Sequence, residues 1–209
     1  MTQKSIKYNP FEVVRMFEEE VAEYTGAPYA VAVDSCTNAI FLACRYHHVD
    51  TVRIPKKTYL SVPGSIMHAG GIPRFEDRNW EGAYQLKPYP IWDAAKRFTS
   101  NMYRTDQTMC LSFHIKKLLP LGKGGMILTN DAEAVKWYKK ARYEGRGEVD
   151  YDEDDITMPG WNMYMTPEEA ARGLTLMLNY PEHVADLTEN EGRGYKDLTE
   201  FSLYRNSGI

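Results

Sequence analysis

The sequence predicts an α/β protein in which a mostly parallel central sheet is wrapped by helices. Short apolar stretches typical of buried strands alternate along the chain with stretches that carry apolar residues at every third or fourth position. Such alternation is typical of strand–helix–strand units. The 209 residues, 43% hydrophobic and 26% charged, are enough for one sizeable domain of this class.

Composition argues against several classes of protein. The net charge of -4 gives no electrostatic case for nucleic acid binding. The longest apolar runs are too short to span a bilayer, and the first residues lack the apolar core of a signal peptide. Cys36, Cys44 and Cys110 are odd in number and lack metal-ligand spacing, so we expect a reduced, cytoplasmic setting and no metal site.

The first half of the chain begins with an amphipathic helix predicted over residues 10–24, capped by Asn9 and ended by Gly26. An apolar strand over 29–33 then leads through a polar turn at 34–38 into a second helix. The remaining predicted elements are that helix over 39–46, strands over 51–54, 72–75 and 89–92, and a helix over 59–69.

The second half contains the most informative stretch, residues 109–130. Two apolar strands, over 109–113 and 126–129, enclose a turn with adjacent lysines and a glycine-rich corner. Further elements follow as a helix over 132–143, a polar acidic loop over 145–155, a helix from the Thr166 cap through Leu178 with Glu169 completing a capping box, and a last helix from Pro181 towards Glu200.

Polar groups end several of these strands, at the edge where open α/β sheets bind ligands. The Ser/Thr turn before the second helix predicts an anion site, because free N–H groups and the helix dipole favour phosphate; an ordinary helix cap is the alternative. Asp93 ends an apolar strand and faces this crevice, or else caps the next helix.

The lysine pair offers a nucleophile. Ser112 lies near the end of the strand over 109–113 and the adjacent Lys116 and Lys117 follow it, and partial desolvation would lower a lysine's pKa. A solvated surface pair is the alternative. Two other motifs fail: residues 150–155 lack the glycine and closing glutamate of a calcium loop, and 122–125 lack the spacing of a phosphate loop.

These signals occur in one recognisable order. The sequence resembles the DegT/StrS family of PLP-dependent sugar aminotransferases, which have the three-layer α/β/α fold type I architecture of aspartate aminotransferase. The Ser-Phe-His-x-x-Lys run followed by a glycine corner is specific. The stretches that carry the resemblance are VDSCTNAIFLAC (33–44), IPKKTYLSVPGSIMHAGGIPRFED (54–77), WDAA (92–95), LSFHIKKLLPLGKGGMILTND (111–131) and GWNMYMTPEEAARGL (160–174).

The resemblance implies a role for several residues. Lys117 lies where the family's Schiff-base lysine holds pyridoxal 5'-phosphate (PLP) and shuttles a proton, whereas Lys116 is out of register and is interpreted as structural or solvated. Asp93 matches the aspartate that keeps the pyridinium nitrogen protonated, and Tyr59 the aromatic residue that stacks on the ring.

The implied phosphate cradle consists of Cys36, Thr37 and Ser112. Asn162 matches an asparagine that reaches the phosphate from the partner subunit, so a homodimer with shared active sites is implied. Lys96 stands near the cofactor's phenolic oxygen, where the family has glutamine or histidine.

Other departures from the family pattern concern Cys36, which replaces a glycine, Tyr164, which replaces an arginine, and Lys123, which stands where an acidic residue is common. The family's small C-terminal domain is expected to be largely missing. Residues 1–180 are then the PLP-binding large domain, and residues 181–209 a C-terminal helix left from the small domain.

Three functions follow as hypotheses. The first is amino transfer from an amino acid such as glutamate to a keto group of a nucleotide-linked sugar. The second is a non-catalytic relative that binds PLP or a sugar nucleotide, and the third is one half of a split enzyme. A sugar dehydratase fits less well, because that branch replaces the Schiff-base lysine with histidine.

Overall fold

The computed structural model describes residues 9, 11–188 and 194–205. The helices are α1 (Glu12–Thr25), α2 (Cys36–Tyr46), α3 (Ser61–His68), α4 (Ala132–Ala141), α5 (Pro167–Met177) and the short α6 (Ser202–Arg205). The strands are β1 (Tyr29–Val33), β2 (Thr51–Pro55), β3 (Ile72–Glu76), β4 (Tyr84–Leu86), β5 (Ile91–Asp93), β6 (Thr108–Ser112) and β7 (Gly125–Thr129). None of the helices described is long and apolar enough to cross a bilayer.

The central sheet has five strands in the order β1-β7-β6-β5-β4, and β2 and β3 form a separate parallel pair. Arg53 of β2 links the pair to the main sheet through backbone hydrogen bonds of 2.7 and 3.1 Å with Lys87. Within the main sheet only β5 and β6 are parallel neighbours. The other neighbours, β1–β7, β6–β7 and β4–β5, are antiparallel.

The sheet is therefore mixed rather than mostly parallel, and the connections explain why. Residues 87–90 alone separate β4 from β5, and the glycine corner separates β6 from β7 without an intervening helix. Connections without a helical crossover join antiparallel strands, whereas parallel neighbours need a longer crossover. The run over 109–130 has the predicted strand–turn–strand form, but its two strands run in opposite directions.

The predicted α/β class is confirmed, with helices on both faces of the sheet. Alternate residues of β1 show this: Val31 and Val33 belong to one buried cluster, with residues of α2, α3 and α4. Ala30 and Ala32 belong to the other, with residues of α1 and α5. Strand β1 therefore buries side chains in two helical layers, as a period of two requires.

A buried ion pair connects three of these elements. Arg142, which follows α4 and is 1% exposed, donates to Glu18 of α1 and, over 2.5 Å, to the carbonyl of Ala32 in β1. Lys139 lies 3.3 Å from the same carboxylate. The pair of Arg142 and Glu18 is buried, so it fixes how α1, β1 and the end of α4 pack against one another.

The element boundaries differ from prediction at two places near the site. Helix α2 begins at Cys36 rather than at residue 39, because the Ser35 side chain accepts from the amide of Asn38 and caps the turn. Strand β4 was not predicted. The capping box of Thr166 and Glu169 at the start of α5 is confirmed.

The helix predicted from Pro181 towards Glu200 is wrong within the described residues. Residues 181–188 and 194–197 contain no helix, and only a single turn of 3-10 helix (Leu198–Glu200) precedes α6. The backbone instead bonds across the chain: the amide of Ser100 donates to Glu182 and that of Leu187 to Lys96. Pro10, the predicted first residue of α1, lies outside the described residues.

Candidate active site

A cavity of about 360 Å³ lies where β5 and β6 end and α2 begins. Residues from distant parts of the sequence meet there because these element ends share one edge of the sheet. Six of the predicted site residues line it: Cys36, Thr37, Tyr59, Asp93, Ser112 and Lys117.

The start of α2 forms the part of the cavity suited to an anion. The first amides of a helix lack helical partners; in α2 the Ser35 hydroxyl accepts from the amide of Asn38, and Thr37 lies in the same turn. The Thr37 and Ser61 hydroxyls lie 2.8 Å apart, and the Ser112 hydroxyl lines the same space. Amides, hydroxyls and a helix dipole together favour a phosphate group.

Gly125 allows this arrangement by its lack of a side chain. A Cβ there would lie 2.6 Å from the amide nitrogen of Cys36, closer than atoms pack. Strand β7 therefore runs directly beneath the turn that opens α2, and Ser35 bridges to Gly124 beside it. The glycine corner read from the sequence shapes the anion pocket from below.

Cys36 fits the turn without strain. It is the first residue of α2 and is not among the described residues with a positive φ angle, so the position does not demand glycine. Its Sγ donates to the carbonyl of Cys110 over 3.6 Å. Burial raises the pKa of the Cys36 thiol well above 9, so the thiol stays neutral beside the anion pocket.

Asp93 is the buried carboxylate of the site, 4% exposed at the end of β5. Its Oδ1 accepts from the amide of Ala95 over 3.0 Å, and Tyr84 is its partner across the β4–β5 pair. Burial raises the pKa of Asp93, while Ala95, Tyr84 and the positive charges of Lys117 and Lys96 act in the opposite direction. A cationic ligand group beside this carboxylate would favour its ionised form further.

Lys117 lies in the loop between β6 and β7, half-buried against the cavity. Its amide donates to His114 over 2.8 Å, which holds the turn that carries it. Lys116 also lines the cavity, although its side chain is exposed. The exposed side chain agrees with the interpretation of Lys116 as structural or solvated. Lys123, at the same rim, pairs with Asp34 at 3.1 Å.

Two predicted residues lie outside the cavity lining. The Lys96 ammonium sits over the rings of Trp80 and Tyr195, 4.8 and 4.7 Å from their centroids, and its charge reaches Asp93. Asn162 is exposed and donates to the Glu144 carboxylate over 3.1 Å. Asn162 is predicted to contact the cofactor of a second subunit. Its position outside this chain's own cavity agrees with that prediction but does not test it.

Sequence reasoning missed three aromatic residues. Trp80 and Tyr195 line the cavity, and Tyr84 supports Asp93. Trp80 and Tyr195 lie outside the predicted strands and helices that converge on the site, so no spacing marks them. The role of Tyr84 can be recognised only from the pairing of β4 with β5.

The fold and the cavity together define the class. A three-layer α/β domain with a lysine, a buried aspartate and a hydroxyl-lined helix start around one cavity has the large-domain architecture of PLP-dependent aminotransferases. The chain belongs to the DegT/DnrJ/EryC1/StrS aminotransferase family, whose sequence model matches residues 2–103 and 91–200. The resemblance found in the sequence is confirmed.

Individual relatives agree. The chain is 28% identical to the spore coat polysaccharide biosynthesis protein SpsC of Bacillus subtilis, over 77% of this chain and 55% of that protein. It is 26% identical to GDP-perosamine synthase of Caulobacter vibrioides, over 81% of this chain and 57% of that protein. The structure of a DegT/DnrJ/EryC1/StrS aminotransferase from Brucella abortus superposes with a TM-score of 0.67 at 20% identity, covering 82% of this chain and 59% of that one.

The chain thus spans little more than half the length of these curated relatives. The alignment with SpsC has 218 positions, more than the 209 residues of this chain. It therefore includes positions at which this chain has a gap. The family's pattern is matched in two blocks that overlap at residues 91–103, around β5.

Proposed function

We propose that the protein is a PLP-dependent aminotransferase that moves an amino group from an amino acid such as glutamate to a keto group of a nucleotide-linked sugar. The observation that carries this proposal is that Lys117 and Asp93 line one cavity with the start of α2. An amine, a buried carboxylate and a phosphate-type pocket are the three groups that this chemistry needs.

The residues fit PLP. Lys117 Nζ would hold the cofactor covalently, and Asp93 would pair with its ring nitrogen. The start of α2, with Thr37 and Ser112, would receive the phosphate, and Tyr59 would lie against the ring. When bound, PLP supplies an electron sink for the carbon that loses or gains the amino group.

The chain's own groups perform the rest. The Asp93 carboxylate, desolvated and oriented by Ala95 and Tyr84, would keep the ring nitrogen protonated. The Lys117 amine lines the same cavity and would be the base that holds and moves the proton at the substrate carbon.

Two relatives support the choice of substrate. SpsC is named for polysaccharide biosynthesis, and GDP-perosamine synthase is named for a nucleotide-linked amino sugar. We extend that substrate class to this chain and place the protein in the cytoplasm, where such sugars are made.

A homodimer with shared sites is part of the proposal. Tyr59 and Ile115, which lie at and beside the cavity, are 53% and 64% exposed, and Leu60 is 61% exposed. Apolar groups exposed together favour a protein partner. Asn162 would then reach the phosphate of the second subunit's cofactor. Residues 1–180 would form the cofactor-binding domain and 181–209 the remainder.

A second candidate is a relative that binds PLP without turnover, alone or as one half of a split enzyme. The chain matches 55% and 57% of the length of these two relatives. Lys96 also places a full positive charge near the site.

Spectroscopy separates the candidates. PLP added to the purified protein is expected to produce a yellow complex, and glutamate is then expected to bleach it as the amino group moves to the cofactor. A yellow complex that glutamate leaves unchanged favours the binding relative. A protein that stays colourless with excess PLP contradicts both.

A further inference from the structure

The end of the described chain is anchored on β3 and on Lys56, which follows β2. We call residues 194–205 the C-terminal strap. The amide of Leu198 donates to the Lys56 carbonyl over 2.9 Å, and Asp197 pairs with the Lys56 ammonium at 3.3 Å. Leu198 is 2% exposed, and the ring of Tyr204 packs on Phe75 with centroids 5.1 Å apart.

The residues before the strap are anchored as well. Asp186 accepts from the Arg97 guanidinium over 2.8 and 2.5 Å. Its carboxylate occupies the space that a side chain at Gly82 would need. Both described parts of the C-terminal region are therefore held against the elements that carry Asp93 and Tyr59.

The strap brings one aromatic side chain into the cavity wall. The Tyr195 ring stacks on Trp80, with centroids 6.0 Å apart and planes at 16°. It meets Tyr59 edge-on at 6.3 Å. Tyr59, Trp80 and Tyr195 all line the cavity, so they form one continuous aromatic wall.

We propose that Tyr195 is a ligand-positioning residue, whose ring packs with Tyr59 and Trp80 against the bound cofactor. The inference rests on the proposed function. A cavity of about 360 Å³ is at the small end of ligand sites. A molecule of cofactor size therefore touches most of its walls, and an aromatic wall excludes water and offers a large contact area at low entropic cost.

PLP titration of the full chain, followed by visible absorbance, tests the role. Tyr195→Ala should weaken PLP binding about tenfold, the scale of one lost aromatic contact. Tyr195→Phe keeps the ring and should bind within about threefold of the parent. Leu203→Ala, on the same strap but 59% exposed, is the matched control and should leave binding unchanged.

Hydrogen exchange provides a second readout. PLP should slow exchange of the strap amides in the parent protein and much less in Tyr195→Ala, while thermal melting shows that the variant is folded. If parent and Tyr195→Ala bind PLP equally and the strap exchanges at the same rate with and without PLP, Tyr195 has no such role although the proposed function stands. If the parent itself does not bind PLP, the proposed function fails, and this inference fails with it.

Discussion

Tyr84 and Asp93 are paired across β4 and β5, and the Tyr84 phenol lowers the pKa of the Asp93 carboxylate, which burial raises. The Thr58 hydroxyl lies 2.6 Å from the same phenol oxygen, so the chain of polar groups extends one residue further from the cavity. A strand of three residues thus orients the carboxylate on which the proposed chemistry depends.

Removing the Tyr84 hydroxyl should change the pH dependence of PLP binding. Burial raises the pKa of Asp93 and the Tyr84 hydroxyl lowers it, so Tyr84→Phe should raise that pKa further. Because the ionised carboxylate is the form that pairs with a protonated ring nitrogen, the acidic limb of PLP affinity should move to higher pH. PLP titrations across a pH series measure this. Tyr89→Phe, whose hydroxyl accepts from Asp50 instead, should leave the limb in place.

Asp93→Asn should change folding stability and PLP binding in opposite directions. A carboxylate whose pKa burial raises binds protons more tightly in the folded than in the unfolded state. The unfavourable contribution of the ionised carboxylate to folding stability is therefore absent in acid, and it develops as the pH rises through the folded pKa. The neutral amide should raise the melting temperature of the ligand-free protein by a few degrees at pH 7 while weakening PLP binding at least tenfold. A variant that is less stable and binds PLP normally would refute both parts.

Gly125→Ala should damage the anion pocket. The added Cβ would collide with the backbone of Ser35 and Cys36, and backbone cannot yield as a flexible side chain does. We expect a loss of about 2 kcal/mol in stability and weaker binding of inorganic phosphate and PLP. Gly64→Ala is the matched control, because nothing lies within 4 Å of a Cβ in that helical position. It should be neutral or slightly stabilising.

Arg142→Met should destabilise the fold without touching the cavity. The substitution leaves the Glu18 carboxylate buried with only Lys139 and the Ala32 amide, and breaking a buried pair costs about 3–5 kcal/mol. Urea unfolding measures the loss. Arg172→Met, at an exposed arginine, should change stability by less than about 0.5 kcal/mol. A loss below about 1 kcal/mol for Arg142→Met would show that the pair is not structurally important.

The sequence predicted the parts of the site that lie where strands end. The Ser/Thr turn, Asp93, Ser112 and Lys117 each end or follow an apolar strand, so their convergence follows from the layout of α/β sheets. The relative directions of the strands could not be predicted in this way. Hydrophobic patterns give strands but not their pairing, and short connections make β4–β5 and β6–β7 antiparallel.

The features that sequence reasoning missed depend on tertiary contacts. Strand β4 has three residues between Gly82 and the turn at Lys87, too few for a period of two to show. Residues 181–188 have a helical composition, yet their backbone bonds to residues 96–100. Tyr195 enters the cavity wall only because Leu198 and Asp197 anchor the strap on Lys56. No local pattern in the sequence encodes these long-range contacts.

The proposed function is tested most sharply by asking whether Lys117 is the amine that binds PLP. The full chain is incubated with PLP and reduced with borohydride, which fixes the cofactor to the lysine that binds it, and the modified peptide is sequenced by mass spectrometry. We predict modification of Lys117, its loss in Lys117→Arg, and its retention in Lys116→Arg, because both lysines line the cavity but only Lys117 is half-buried there. Modification of Lys116 in place of Lys117, or of neither lysine, would contradict the account.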